Sequence, residues 1–579
     1  MGKYLVTTAI EKIWPKPYSE VVYLGEWCKL YDRTKFHNKF NSITLPYHWN
    51  DRNKYYNDYK YTINLYDEIL VELSFELNKI HNSSFSNKYW EILIGFWLGY
   101  FIQITFDRWF MLNVAFEKYN KLNYIILSQD LYNYVPNDTY DFVNRPFTDE
   151  YNESLYSQIV NLCFSDYVSI ETVGFSDQTV NSSKRNVMNT PNYINLLLNR
   201  ITDTVNKEFF IRTSLPAIEN IKLQISSCQI PCIRQSRPLP SYKISANIRR
   251  TFYRNWRKQT DEFANLIRVL ISTNIPCAFL EGFKDTLRFI EKYGWKCSPN
   301  NIFTSTSQCD DDFFKFWAAS KVEMGAKINI LQHGGHYGTG KFSFFDFYDH
   351  KISNTFYSWG YTKKGKKSIK ALGNIKTFKT NVNYDKKGSC LLVLMDLSRY
   401  SYMLYSTPVS SCQINDYINE QILFLDNLIL SIRKQINIIL HRINFLNCHQ
   451  EKLLSKHNDL TFDKNLDIKN SIKKCRLYIS TYNATTYLES LYWNIPTICY
   501  WNPEYWEIND ESKALFEILI SVGILYHDPV KAAHKINQVW DNVDAWWQSD
   551  ELQNARKLFC NKYSKKIKSI RELKINLDL

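Results

Sequence analysis

Between Leu477 and Trp501 the chain reads LYISTYNATTYLESLYWNIPTICYW, and its polar centre is where chemistry is easiest to place. Leu477 to Ile479 are apolar, Ser480 to Thr486 carry hydroxyl and amide groups, and Glu489 follows one helical turn after Thr485. The pattern predicts a strand, a turn, a helix, and a second strand entered through Asn494-Ile495-Pro496. A polar turn that opens a helix at the carboxyl end of a strand gathers bare N–H groups and the positive end of the helix dipole. That arrangement suits a phosphate. Tyr482, Asn483, Thr485 and Thr486 are therefore candidate nucleotide-binding residues, and Glu489 can accept from a ribose. The competing reading is a cap with no ligand, since Thr486 to Glu489 is close to capping-box spacing.

A second motif, Ile330-Leu331-Gln332-His333-Gly334-Gly335-His336-Tyr337-Gly338, runs from a predicted strand straight into two glycines. Glycine lets backbone approach a ligand closely, so Gln332, Gly334 and Gly335 join the candidate binding residues. His333 can hydrogen-bond a phosphate or move a proton near neutral pH; the alternative is a tight turn with a buried, satisfied imidazole. Two carboxylates compete as general base. Glu26 follows the strand-ending Gly25, and Asp107 closes an apolar helix beside Arg108. An exposed turn carboxylate and a buried ion pair are their respective alternatives. Arg399 and Arg442 each follow a predicted strand, where a guanidinium can pair with a phosphate; either can equally be a turn charge.

The elements that must position these residues are of α/β type. The 579 residues are enough for two or three domains, and 45% hydrophobic with 16% aromatic content gives ample surface to bury. Short apolar runs such as Tyr4 to Ala9 and Val21 to Gly25 read as buried parallel strands. Cys277 to Leu280, Asn301 to Thr304 and Ile328 to Leu331 continue the series, with helices between them, including one over Asn255 to Thr273. A Lys-, Asn- and Asp-rich break at Thr377 to Ser389 precedes a second series. The reading is two tandem Rossmann-like, doubly wound domains with a central cleft: 1–385 on the acceptor side with helical insertions, 386–550 for the nucleotide, and a basic helix over 551–579. The stretch from about 142 to 240, Asn- and Ser-rich around Val180 to Asn192, stays unassigned.

Tyr89 to Phe106 is apolar enough to suggest a membrane span, with Gly95 and Gly99 at GxxxG spacing. It contains Glu91 and Gln103, and it is short for a bilayer, so it reads as a buried helix. Asp310-Asp311-Asp312 is the nearest approach to a metal-binding Asp-x-Asp and reads as a helix cap. No metal and no cofactor are expected; leaving-group charge would fall to helix N-termini and basic side chains. Net charge is +13, with basic runs at Arg249 to Lys258, Lys363 to Lys367 and Lys557 to Lys574. Anionic partners follow: a nucleotide sugar or an acidic membrane face, with nucleic acid lowest because no recognition motif accompanies the charge. Thirteen scattered cysteines and an N-terminus without an apolar leader point to a reduced, cytoplasmic protein, peripheral to the inner membrane if its basic face is used.

The runs YLVTTAIEKIWP, VVYLGEWCKLY, LPYHWNDR and YWEILIGFWLGYFIQITFDRW, with ILQHGGHYG and YNATTYLESLYWNIPT, resemble a bacterial family of surface-polysaccharide transferases from O-antigen and capsule regions. The resemblance spans most of the chain. It implies a GT-B-like glycosyltransferase, with a nucleotide-sugar donor held by the C-terminal domain and a glycan or lipid-linked glycan acceptor. NATTYLES followed by NIPT also resembles the donor half of capsule transferases that use CMP-linked sugars. Two alternatives stay open: a polyol-phosphate phosphotransferase, and a non-catalytic nucleotide- or glycan-binding assembly protein.

Overall fold

The computed structural model describes residues 2–128, 131–174, 206–253, 260–463 and 468–579. Three sheets organise the chain. The first holds β1 (Tyr4–Val6), β2 (Glu20–Tyr23), β3 (Asn41–Thr44), β4 (Leu122–Ser128) and β5 (Val168–Gly174), in the order β3-β2-β1-β4-β5. The second holds β6 (Glu208–Ile211), β7 (Asn301–Thr304), β8 (Lys327–Leu331), β9 (Thr355–Ser358) and β10 (Ile369–Ala371), side by side in chain order. The third holds β11 (Ser389–Val393), β12 (Ile436–Ile439), β13 (Thr461–Phe462), β14 (Cys475–Ser480), β15 (Thr497–Tyr500) and β16 (Leu525–Tyr526). Its order, β13-β12-β11-β14-β15-β16, is that of a doubly wound dinucleotide-binding sheet, and β11 pairs in parallel with both β12 and β14. Strand order reverses between β11 and β14, so a ligand crevice belongs at their carboxyl ends.

The α/β class read from the sequence is therefore present, with parallel strands in all three sheets. The residues ahead of 385 contain two sheets. β5 and β6 fall in the polar stretch 142–240 that the sequence leaves unassigned, so the boundary between the first two sheets is not visible in it. β10 ends at Ala371 and β11 begins at Ser389, on either side of the break. One expected strand is corrected: Cys277–Phe279 forms a 3-10 turn, not a strand. Pro276 precedes it, and the N–H groups of Cys277 and Ala278 bond the carbonyls of Pro136 and Asn137 instead of a neighbouring strand. The helix expected from Asn255 is described from Glu262 to Asn274, capped by Asp261. Residues 180–192, and Arg254, Arg257 and Lys258, lie outside the described residues.

Packing explains the long apolar helix. Asn87–Lys118 starts at Ser86, whose hydroxyl accepts the Tyr89 N–H, and is buried on every side from Tyr89 to Arg108. A helix apolar all round belongs in a core. Gly99 allows the Phe344 ring to lie directly on its backbone, where a Cβ would collide. Among the described residues no helix is long and apolar enough to cross a membrane. The expected basic tail helix is two helices, Asp550–Tyr563 and Ile570–Asn576. The second returns to sheet two, where Leu573 and Leu577 pack with Phe210, Phe303, Leu331 and Tyr357. The C-terminus thus straps the third sheet's end of the chain to the second sheet.

Candidate functional site

β14 delivers Ser480 to Thr486 to the switch point of sheet three. Thr481 fixes the start of the turn, its hydroxyl donating to the Val393 carbonyl of β11 at 3.0 Å and meeting the Tyr417 hydroxyl at 2.5 Å. Thr486 donates to the Tyr482 hydroxyl at 3.0 Å, and Tyr487 donates to the Asn483 side-chain oxygen at 3.0 Å. The helix Thr485–Tyr492 then begins at Ala484 with no side-chain cap. The capping-box alternative is thereby corrected: Glu489 does not reach back to the cap, and its carboxylate pairs with Lys376 at 2.8 Å. Asn483 is 1% exposed, and its side-chain N–H₂ has no hydrogen-bond partner. Uncapped amides and an orphaned buried donor at a helix start can receive an anion.

The turn after β8 faces this one directly. Gln332 is its clamp, accepting the Trp359 N–H at 2.7 Å and donating to the Gly334 carbonyl at 2.8 Å. Gln332 is thus spent on structure. The Gly335 N–H donates to the Thr485 hydroxyl at 2.8 Å, and a Cβ on Gly335 would collide with the Ala484 carbonyl. Gly334 lies against the same Thr485 hydroxyl. Sheets two and three therefore touch through the two motifs, and glycine is what permits the approach. The next residue, His336, is buried and meets the Ser406 carbonyl at 3.0 Å, tying in the loop after β11.

His333 stands half-buried at the edge of this contact. Its pKa is lowered to about 4, chiefly by burial and further by Lys376, with the Ser305 carbonyl opposing. The imidazole is therefore neutral at physiological pH. A group so far from neutrality is a poor general base but a good hydrogen-bond partner for a phosphate oxygen. Behind it, the Tyr337 hydroxyl lies 3.3 Å from His333 Nδ1 and donates to Asp349 at 2.8 Å, while Gln308 donates to the other Asp349 oxygen at 2.9 Å. Burial raises the Asp349 pKa to about 7. The hydroxyls of Ser305 and Ser307, at the neighbouring end of β7, are buried without partners.

The remaining expected residues are elsewhere. Asp107 is a buried structural carboxylate and not a base facing solvent: it accepts from Tyr47 at 2.7 Å, meets His48 at 3.0 Å, and pairs with fully buried Arg108. Arg108 also donates to Asn152 and to the Ser401 carbonyl. Arg399 is spent on Asp149 at 2.7 Å and on the Trp27 carbonyl, which seals sheet three against sheet one. Arg442 is exposed at the end of β12. Glu26 pairs with Lys29 at 2.9 Å and lines a separate cleft of about 300 Å³ between sheets one and three, with His37, Arg399, Asn447 and Lys452. The structure thus joins Gly334, Gly335, His333, Tyr482, Asn483, Thr485, Thr486 and Glu489, and leaves Glu26, Asp107, Arg399 and Arg442 outside.

Sequence reasoning missed Lys376 and Asp349, and gave Tyr337, though within the His-Gly-Gly motif, no role. The four-residue step from His333 to Tyr337 was a readable signal; a lone Lys in a loop was not. Asp311 does cap the helix Asp312–Glu323, accepting the Phe314 N–H, and Asp312 pairs with Lys315 at 2.6 Å. Among the described residues no group of His, Cys, Asp and Glu is placed to hold a metal ion.

The sequence from residue 3 to residue 577 matches the LIC12162 family of transferases, and the chain belongs to that family. No curated protein matches it in sequence. Solved structures similar to it include Anabaena Alr3699/HepE in complex with UDP-glucose, at 10% identity and TM-score 0.33 over 64% of this chain and 98% of that one. The glycosyltransferase SnogD from Streptomyces nogalater is similar at 10% identity and TM-score 0.32, over 64% and 98%. The rhamnosyltransferase SpnG of spinosyn aligns at 8% identity and TM-score 0.29, over 51% and 76%. Likeness at this level speaks for neither substrate nor mechanism.

Proposed function

We propose that this transferase moves a sugar from a nucleotide donor to a growing bacterial surface glycan of the O-antigen or capsule kind, without a metal ion. The donor's phosphate lies on the uncapped amides of Thr485 and Thr486, with Asn483 donating from the turn and neutral His333 hydrogen-bonding from the side of sheet two. Lys376 supplies the positive charge that balances the leaving phosphate. Glu489 holds that lysine in place and is near enough to the helix start to share a ribose hydroxyl with it. The donor nucleotide is CMP in this reading, on the resemblance of the NATTYLES and NIPT runs. The acceptor is a glycan or lipid-linked glycan at the cytoplasmic face of the inner membrane.

The observation that carries the reading is the Gly335 to Thr485 contact at a strand-order reversal, beside a helix start with no cap of its own. Donor turnover tests it. Thr485→Val keeps the side chain's shape and removes its hydroxyl, and hydrolysis or transfer from CMP-, UDP-, GDP- and dTDP-sugars should fall at least tenfold with the fold intact. Undiminished turnover would remove the donor assignment, and a phosphodiester in the product would redirect it to polyol-phosphate transfer.

A further inference from the structure

Two basic runs about 200 residues apart in sequence are joined at their roots. The loop carrying Lys363, Lys364, Lys366 and Lys367 is exposed throughout. It follows Trp359 and Gly360, and the Trp359 carbonyl accepts the Lys565 N–H at 2.7 Å. The Asn374 N–H in turn donates to the Lys565 carbonyl at 2.8 Å, and Gly360 lies against the carbonyls of Asn561 and Lys562. The extended segment 565–568 thus starts from the root of the lysine loop, at Trp359 and Gly360. Ile567 points inward to the cluster under sheet two, so Lys566 and Lys568 point outward together.

That segment borders a cavity of about 380 Å³ lined by Arg556, Lys557, Lys566, Asn381, Asn561 and Thr380, among others. Among the described residues no carboxylate lines it. Arg556 is partly used, donating to the Leu491 carbonyl at 2.9 Å. Among the described residues no carboxylate pairs with Lys557 or Lys566; Lys566 lies over the Tyr492 ring. Leu558, beside Lys557 on the same helix, is 53% exposed. The carboxylates nearby are engaged elsewhere: Asp578 with Lys370, and Glu572 with the Lys568 N–H.

We propose that this face binds an anionic bilayer, with a lipid phosphate seated between Lys557 and Lys566, the Lys363–Lys367 loop spread over neighbouring headgroups, and Leu558 entering the interface. Cations around a cavity that no carboxylate lines among the described residues, next to an exposed leucine, fit an acidic lipid surface. The inference rests on the proposed function only in giving the face a membrane-borne acceptor to approach; the donor site stands at the opposite end of the Thr485–Tyr492 helix from the cavity.

The test is co-sedimentation of the full chain with vesicles of 30% phosphatidylglycerol in phosphatidylcholine, against pure phosphatidylcholine. Binding should need the anionic lipid and fall steeply between low and high salt. The pairs Lys557→Glu/Lys566→Glu and Lys363→Glu/Lys366→Glu should each weaken it at least tenfold. All four positions are exposed, and an unchanged melting temperature with unchanged stabilisation by nucleotide separates this result from the fate of the donor site. Equal binding to neutral vesicles, insensitivity to either pair, or no binding at all would overturn the proposal. So would stabilisation of the wild type by soluble glycerol 3-phosphate without vesicle binding, which would make the cavity a site for a free phosphate.

Discussion

The loop after β11 and the turn after β14 leave adjacent strands of the third sheet, yet they meet their neighbours differently. Toward sheet one, Arg399 is matched by Asp149, and Arg108 in the same buried layer by Asp107, Asn152 and the Ser401 carbonyl. Toward sheet two, the Thr485 hydroxyl accepts the Gly335 amide and Glu489 pairs with Lys376, yet a buried amide on Asn483 is left without a partner. One junction has its charges balanced in advance; the other keeps donors in hand. Buried charges that are already paired resist separation, whereas unsatisfied donors at a helix start invite a ligand. The difference separates buried charges already paired across the sheets from a turn that keeps an unpartnered donor.

Breaking the balanced junction should have the largest effect. Arg108→Ala leaves Asp107 buried beside an empty site and should cost about 3–5 kcal/mol, read as a large fall in the denaturation midpoint. Gly335→Ala puts a Cβ into the Ala484 carbonyl. It should cost about 1–3 kcal/mol and weaken nucleotide binding at least tenfold by calorimetry. A gentler change, Thr485→Val, removes one hydrogen bond and should cost about 1 kcal/mol in stability, with the greater loss in turnover.

Acid and base titrations sharpen the contrast further. His333 is held near pKa 4 against a usual 6.5. The unfolded chain therefore takes up its proton first as pH falls through 6.5, and this residue's contribution is lost between about 6.5 and 4. Asp349, raised to about 7 from 3.8, acts oppositely: the folded state keeps its proton, and that contribution is lost as pH rises from about 4 to 7. The two slopes offset in the wild type. Against wild type, urea denaturation across this range should show stability falling more steeply with rising pH in His333→Gln and rising more steeply in Asp349→Asn. Glu26→Gln should change least, within about 0.5 kcal/mol, because its partner Lys29 is a surface neighbour, and nucleotide binding should be unaltered.

Much of this site was legible because its chemistry is local. Leu477–Ile479 followed by hydroxyls and amides reads as strand and turn without any tertiary information, and the His-Gly-Gly run does the same for β8. Their meeting was not legible, since it depends on how the sheets pack. The roles of Asp107 and Arg399 failed for the same reason: a charge after a helix or strand looks the same in sequence whether it faces a ligand or Asp149. Lys376 was hidden because its partner, Glu489, lies 113 positions away. The separate second sheet was obscured by its first strand, Glu208–Ile211, which has four residues and sits in a polar stretch.

Nucleotide-dependent thermal stability tests the central claim most directly, because a ligand that binds only the folded chain raises its melting temperature. Wild type should be stabilised by one class of nucleoside phosphate, Glu26→Gln equally so, and Gly335→Ala and Thr485→Val much less. Equal stabilisation of all four proteins, or of none, would contradict a phosphate cradle between sheets two and three.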